Sequence, residues 1–178
     1  MTLCGIDEAG RGCLAGPLVV AGVILSNEID GLTDSKKLSE KKRELLYEQI
    51  VQNAKYEIVF TDNETIDKIG LSLSLKNSLI KIIEVLKPQH TIFDGNTTFG
   101  VLGIEAIIKA DQSVAEVSAA SILAKVSRDR YIVEQASLYP IYQFEKHKGY
   151  GTKIHRELIK EHGYCPLHRR SFKIKSIK

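Results

Sequence analysis

Leu3-Cys-Gly-Ile-Asp-Glu-Ala-Gly-Arg-Gly-Cys-Leu-Ala-Gly-Pro-Leu-Val-Val-Ala-Gly-Val-Ile-Leu25 carries two strands and the loop between them. Leu3 to Asp7 reads as a short strand. Gly10, Gly12 and Gly16-Pro17 then punctuate a loop, and the apolar, β-branched run Leu18 to Leu25 reads as a buried strand. Ser39 is placed to cap a helix running to Asn53, with Leu45, Leu46 and Ile50 on its inner face. The alternation over Tyr56 to Thr61 predicts a third strand, and a short helix follows near Glu64 to Ile69. Leu75, Leu79, Ile82, Ile83 and Leu86 share one face of a helix that must stop before Pro88. Thr91 to Asp94 is a strand closed by the turn Asp94-Gly95-Asn96, and Ile104 to Asp111 reads as a fifth strand. Ser113 is placed to cap a long helix reaching Tyr139. The small residues Ser118-Ala-Ala-Ser121 in its middle allow a helix to approach a sheet closely. A last amphipathic helix spans Thr152 to His162 and stops at Gly163. Three strands followed by helices alternating with two more predict an α/β domain with a five-stranded mixed sheet flanked by helices. We divide the chain into a domain over 1–139 and a small basic helical region over 140–178 packed on it.

With 178 residues, of which 43% are hydrophobic and 26% charged, the chain can fill one core, and wholesale disorder is excluded. No apolar run reaches the roughly 18 residues of a membrane span; the longest, Leu14 to Leu25, is broken by Pro17 and two glycines. The N-terminus shows no basic region followed by an apolar stretch, so no secretory signal is expected. Cys4, Cys13 and Cys165 are odd in number and lack CxxC spacing, which argues against a disulfide framework or zinc site and for reduced thiols in a cytoplasm. Net charge is +3 but asymmetric: from Glu145 onward ten Lys/Arg face three Glu, whereas residues 1–144 carry fifteen Lys/Arg against nineteen Asp/Glu. That asymmetry fits a basic surface facing a polyanion and, equally, a solvated basic tail.

Asp7, Asp94 and Asp111 fall at strand ends in this map, with Glu8 beside Asp7. Strand ends of an α/β sheet are where ligands usually bind. Clustered carboxylates repel one another and resist ionisation unless cations lie among them. Hard ions such as Mg2+ or Mn2+ suit an all-oxygen site, and two of them serve phosphodiester hydrolysis. Successive strand residues point to opposite faces, so Asp7 and Glu8 can share one site only if the chain turns directly after Asp7. Read singly, each acid fits a turn or cap equally well.

The residue strings themselves resemble a known family. Gly5-Ile-Asp-Glu-Ala-Gly-Arg-Gly12 is similar to the N-terminal signature of the type 2 ribonucleases H, in particular bacterial ribonuclease HII. Seven further matching strings follow in order: Gly16–Gly22, Asp34–Ser39, Phe93–Asn96, Lys109–Asp111, Ser118–Arg130, His147–Thr152 and His168–Phe172. The resemblance implies a ribonuclease H-like fold and hydrolysis of RNA in RNA–DNA hybrids. It also implies incision of duplex DNA at embedded ribonucleotides, as in ribonucleotide excision repair and RNA primer removal, leaving 3′-hydroxyl and 5′-phosphate ends. The family's metal-binding and catalytic acids fall on Asp7, Glu8, Asp94 and Asp111, holding Mg2+ or Mn2+, two ions during catalysis. Gly10, Arg11 and Gly12 match the motif that contacts the 2′-hydroxyl at the RNA–DNA junction. Tyr150 matches the tyrosine that packs on the following deoxyribose, and Ser35, Lys36 and Lys37 match a loop contacting the nucleic-acid backbone.

Lys125 and Arg128 are compatible with a phosphate contact or with surface solvation. His147, His155 and His168 lack metal-site spacing and read as surface or phosphate-facing. The expected protein is a cytoplasmic monomer, with RNA–DNA hybrid and ribonucleotide-containing duplex as partners and no membrane association. Two other readings keep parts of this frame. A junction-resolvase or integrase-like enzyme would cut all-DNA substrates, and a non-catalytic hybrid binder would bind without metal-dependent turnover.

Overall fold

The computed structural model describes residues 2–33 and 35–174. Asp34, which opens the string Asp34–Ser39, and residues 175–178 lie outside the described residues. Five strands form one mixed sheet: β1 (Leu3–Ala9), β2 (Leu18–Leu25), β3 (Ala54–Thr61), β4 (His90–Asp94) and β5 (Glu105–Ile107). Their spatial order is β3-β2-β1-β4-β5. The β1–β2 and β2–β3 pairs are antiparallel, and the β1–β4 and β4–β5 pairs are parallel. The sheet class and strand count therefore agree with the sequence reading.

Helices cover both faces. On one face lie α1 (Glu40–Asn53) and α4 (Ala115–Ala136), packing Leu46, Ile50, Ala119, Ala120 and Leu123 against Ala9, Val19, Ala21 and Val23. On the other, α2 (Asn63–Ile69) and α3 (Leu71–Leu86) pack Ile66, Leu75, Leu79 and Ile82 against Cys4, Ile6, Leu18 and Val20. Strand alternation thus sends Gly5, Asp7 and Ala9 toward α4 and Cys4, Ile6 and Glu8 toward the opposite face. Caps follow the sequence. The Ser39 hydroxyl accepts from Lys42 N at 3.2 Å, Asp62 Oδ1 from Thr65 N at 2.7 Å, and Thr152 Oγ1 from His155 N at 3.3 Å at the head of α6 (Lys153–His162). The one-turn helix α5 (Phe144–His147) precedes α6. The region after α4 packs Tyr142, Phe144, Cys165 and Leu167 onto Ala15, Ile132 and Ala136. The three cysteines are buried free thiols. No helix among the described residues is long and apolar enough to cross a membrane.

Several boundaries differ from the sequence reading, β1 among them, which runs on to Ala9 rather than ending at Asp7. The fifth strand ends at Ile107 rather than Asp111, because Lys109 adopts a left-handed conformation (φ 60°) and its N–H donates to Asp94 Oδ1 at 2.8 Å. Asp111 therefore lies in a 3-10 turn, Ala110–Gln112, and not at a strand end. That turn runs straight into α4, whose N-cap is Val114 rather than Ser113; Val114 N donates to Ala110 O at 2.9 Å instead. The same helix stops at Ala136, three residues short of Tyr139.

The tightest joint is between α4 and β1. A Cβ on Gly5 would lie 2.2 Å from the backbone of Glu116 and Val117. Backbone cannot yield as a flexible side chain does, so Gly5→Ala is expected to cost ~2–3 kcal/mol or more, the upper range of overpacking. Gly12, where a Cβ meets nothing within 4 Å, provides the contrast: Gly12→Ala should change stability by less than ~0.5 kcal/mol. Urea denaturation of the two variants checks both.

Candidate active site

The β1–β4 ladder ends at the pair Ile6–Phe93. The next residue on each parallel strand is an aspartate, so Asp7 and Asp94 emerge side by side. Asp111 arrives from the turn before α4, which is pressed onto β1 at Gly5. One carboxylate oxygen each from Asp7, Asp94 and Asp111 lie within 4.8 Å of one another. Asp7 and Asp111 are buried and Asp94 is half-buried. Burial raises the Asp7 carboxyl well above the usual range, and Glu8 adds to this; the N–H of Glu8, donating to Oδ1 at 2.7 Å, opposes it.

The chain does not turn after Asp7. β1 continues through Ala9, with Glu8 opposite Val20, so Glu8 leaves the strand on the other face and is not among the three converging carboxylates. It remains inside the same electrostatic field. Its Oε1 pairs with Arg11 Nε at 3.0 Å, while Oε2 is buried without a hydrogen-bond partner. Burial pushes the Glu8 carboxyl up to about 7; Arg11 opposes this, Asp94 reinforces it, and Lys36 opposes it. Three converging carboxylates, two of them buried, with a fourth carboxylate oxygen orphaned beside them, fit a hard divalent cation with oxygen ligands.

The small residues of α4 do more than allow close packing. Ser118 Oγ donates to Asp111 O at 2.5 Å, and the Ser121 hydroxyl bonds Asp7 and lies 2.7 Å from Ser35 Oγ. Read for size alone, that stretch gave no sign of these contacts; the serines at both ends were the available signal. Ser35 is buried on a 3-10 turn, Ser35–Lys37, that leaves Lys36 and Lys37 exposed. Ser35 thus ties the lysine turn to Asp7 through Ser121.

The glycine loop packs on α4 and on the segment after α5. Gly10 has φ +86°, and a Cβ there would strike Arg128 Nε at 2.1 Å, whereas Gly12 faces open space. Arg128 is not at the surface. It is fully buried and donates to the carbonyls of Pro17 (2.9 Å), Lys148 (2.8 Å) and Ala15 (2.9 Å). Buried Arg169 donates to Gly16 O at 2.9 Å and Arg11 O at 3.0 Å. Leu14 N donates to Gly149 O at 2.8 Å. Tyr150 is therefore held beside the glycine loop, its hydroxyl hydrogen-bonded to the Cys13 thiol and its ring 5.4 Å from the Arg128 guanidinium. Burial is the main reason the Tyr150 hydroxyl is pushed up to about 12. Lys125 pairs with Asp129 at 2.8 Å and also flanks the Tyr150 ring. The three histidines read as surface residues are buried as well: His147, His155 and His168 are 6%, 0% and 1% exposed. Their bonding is intramolecular, which spacing along the chain does not reveal.

Comparison with known proteins places this architecture. The profile of the Ribonuclease HII family matches residues 4–175. The chain belongs to that family. It is 60% identical to ribonuclease HII of Aliarcobacter butzleri, over 98% of this chain and 92% of the relative, and 54% identical to that of Sulfurovum sp., over 98% and 93%. Among solved structures, the ribonuclease HII of Archaeoglobus fulgidus, determined in complex with PCNA, superposes with TM-score 0.86 at 32% identity, covering 100% of this chain and 98% of that one. The ribonuclease H2 of Pyrococcus horikoshii gives TM-score 0.81 at 27% identity, covering 98% and 95%. The fold is ribonuclease H-like, and the chain is a hydrolase, an endoribonuclease of the ribonuclease H type acting on RNA–DNA hybrids. Ribonuclease HII enzymes depend on a divalent metal, which the aspartate cluster suits.

The raised carboxyls make the metal-free protein sensitive to pH. A carboxyl whose folded pKa exceeds its unfolded value stabilises fully below the unfolded value and loses that contribution as pH rises through the folded one. For Glu8 the window runs from the ordinary 4.5 to about 7, and Asp7 acts in the same sense. In chelator, Asp7→Asn is expected to raise the melting temperature near pH 8 by about 2–4 °C, the effect of ~1 kcal/mol in a chain of this size. The gain should shrink toward pH 5. Thermal melts across that range measure it; a variant less stable than wild type at pH 8 would overturn the electrostatic reading.

Proposed function

We propose that this protein incises duplex DNA at embedded ribonucleotides as well as cleaving RNA in hybrids, leaving 3′-hydroxyl and 5′-phosphate ends. The observation carrying this reading is the convergence of Asp7, Asp94 and Asp111 beside a glycine loop open at Gly12. These three acids would hold the ions, with Glu8 as a fourth carboxylate whose orphaned Oε2 accounts for its place. Two Mg2+ or Mn2+ ions held there would supply activation of the attacking water and neutralisation of charge on the leaving 3′-oxygen.

The chain's own groups do the rest. Asp7 is oriented by the N–H of Glu8 and the Ser121 hydroxyl, so its carboxylate is set before substrate arrives. Gly12 presents bare backbone to the substrate, which suits recognition of a 2′-hydroxyl, the group that separates RNA from DNA. Gly10 and Arg11 set that backbone: Gly10 by its positive φ, Arg11 through the Glu8 pair and its carbonyl bond to Arg169. Tyr150 packs on the next sugar and favours one lacking a 2′-hydroxyl. Lys36 and Lys37, exposed on the turn tethered by Ser35, attract the phosphate backbone, as does the basic stretch from Glu145 onward. We place the protein in the cytoplasm as a monomer, acting in ribonucleotide excision repair and primer removal.

The test is strand-resolved cleavage of a DNA duplex carrying one ribonucleotide, beside its all-DNA twin and a continuous hybrid, in Mg2+ and Mn2+. Incision of the ribonucleotide duplex alone of the first pair is expected. Asp7→Asn and Asp94→Asn should each lose about a thousandfold or more, corresponding to ~4 kcal/mol of barrier. Equal cutting of the all-DNA duplex, or wild-type incision by Asp7→Asn, defeats the proposal.

A further inference from the structure

The buried histidines form a stack whose proton positions the hydrogen bonds determine. His155 Nδ1 lies 2.8 Å from the carbonyl of Tyr150. A carbonyl only accepts, so that nitrogen carries a proton. His168 Nδ1 accepts from Cys165 N–H at 2.8 Å, so it carries none, and the ring's proton is on Nε2. The two Nε2 atoms face each other at 3.0 Å. His168 therefore donates and His155, bare at Nε2, accepts. His147 Nε2 faces the Tyr142 carbonyl at 2.8 Å and carries its proton, while its Nδ1 accepts from Gly149 N–H at 3.2 Å. All three rings are neutral, each in one tautomer, and all six ring nitrogens are used.

Packing holds the set together. His147 and His155 stack with centroids 4.1 Å apart and planes 16° from parallel. Phe144 stands against all three rings, and Tyr142 and Tyr164 flank His168. An added proton has no acceptor: on His155 it would face His168 N–H, on His168 it would face Cys165 N–H, and on His147 it would face Gly149 N–H. Burial, the largest influence in each case, disfavours the charged form of all three, bringing His155 and His168 down to about 4. The surrounding charges do not reverse this. Glu145 favours charge on His147 and Lys148 opposes it; His147 opposes charge on both other rings, as His168 does on His155 and Arg170 on His168.

Two of the groups this stack holds are the N–H of Gly149 and the carbonyl of Tyr150. We propose that His147, His155 and His168 are positioning residues for Tyr150, fixing the backbone that carries it so that the ring meets one place on the substrate. This rests on the role given above to Tyr150 in selecting a deoxyribose after the ribonucleotide. The histidines touch no substrate; they act through that backbone, and only while neutral.

The experiment compares kcat/KM on two duplexes that differ in one sugar, the residue after the cleaved ribonucleotide being deoxyribose or ribose. Wild type should prefer deoxyribose. His155→Leu, which removes both ring bonds, is expected to lower that preference by about tenfold, within the range a small misplacement produces, while the ribose duplex changes less than about threefold. His155→Asn keeps a donor where Nδ1 stood and should recover at least half of the preference on a logarithmic scale. A folded His155→Leu with full preference overturns the proposal, as does His155→Asn no better than His155→Leu. Wild type without any preference overturns the role of Tyr150 itself, a result distinct from the other two. Should the variants not fold, nitrogen-15 spectra of wild-type histidines at pH 7 decide: Nδ1–H at His155 with Nε2–H at His147 and His168 supports the stack, and any other tautomer or a charged ring overturns it.

Discussion

Helix α4 lies so close to β1 that only hydrogen fits at Gly5, and the site is built from that contact. The turn preceding the helix delivers Asp111. Ser118, Ser121, Lys125, Arg128 and Ile132 then follow at spacings of three and four, which aligns them along one stripe of the helix. Read in order, that stripe braces Asp111, orients Asp7, flanks Tyr150, grips the glycine loop and packs on the C-terminal aromatic cluster. A helix displaced by the width of a methyl group would shift the acids and the reading loop together. Both halves of the site therefore keep their relative placement from one rigid element, rather than from the loops that reach the substrate.

The molecule buries ionisable groups of both signs and treats them differently. The carboxylates are crowded together, and burial lifts Asp7 and Glu8 above the usual carboxylate range, which suits a site for a cation. The histidines are crowded so that their charge is refused. The arginines turn to the main chain, Arg128 donating to three backbone carbonyls and Arg169 to two. The pH dependences of the first two oppose each other. A buried neutral histidine destabilises the fold progressively as pH falls below its unfolded value of 6.5, whereas the metal-free acids do so as pH rises. Near neutrality, once bound cations neutralise the acids, neither effect would act against the fold.

Much of this was legible along the chain because it is local. Strand alternation, the cap at Ser39, and the position of Asp94 at the end of its strand all rest on neighbours in sequence. What escaped depends on distant partners. The fifth strand was drawn through Asp111 because nothing between Ile104 and Asp111 breaks it; the bond from Lys109 N–H to Asp94, fifteen residues back, does so. A turn at Glu8 was expected because strand alternation forbids a shared face, yet β1 runs straight and Glu8 joins the electrostatic field from the opposite side. Arg128 and the three histidines carry polar side chains, which by composition belong outside. Their burial became visible only with the carbonyls, N–H groups and ring partners that satisfy them.

The two buried arginines bind only main-chain oxygen, and this has a consequence for how the protein tolerates change. Every residue type carries a carbonyl, so the grip on Ala15, Pro17 and Lys148 places no demand on their side chains. The demand falls on the guanidinium, whose fixed fork an ammonium cannot reproduce, and on glycines 10, 16 and 149, where a Cβ would collide with Arg128, Ile132 and the Ala15 carbonyl respectively. Along the loops beside the site, positions open to drift thus alternate with positions closed to it, and the pattern is written by geometry rather than by contact with the nucleic acid.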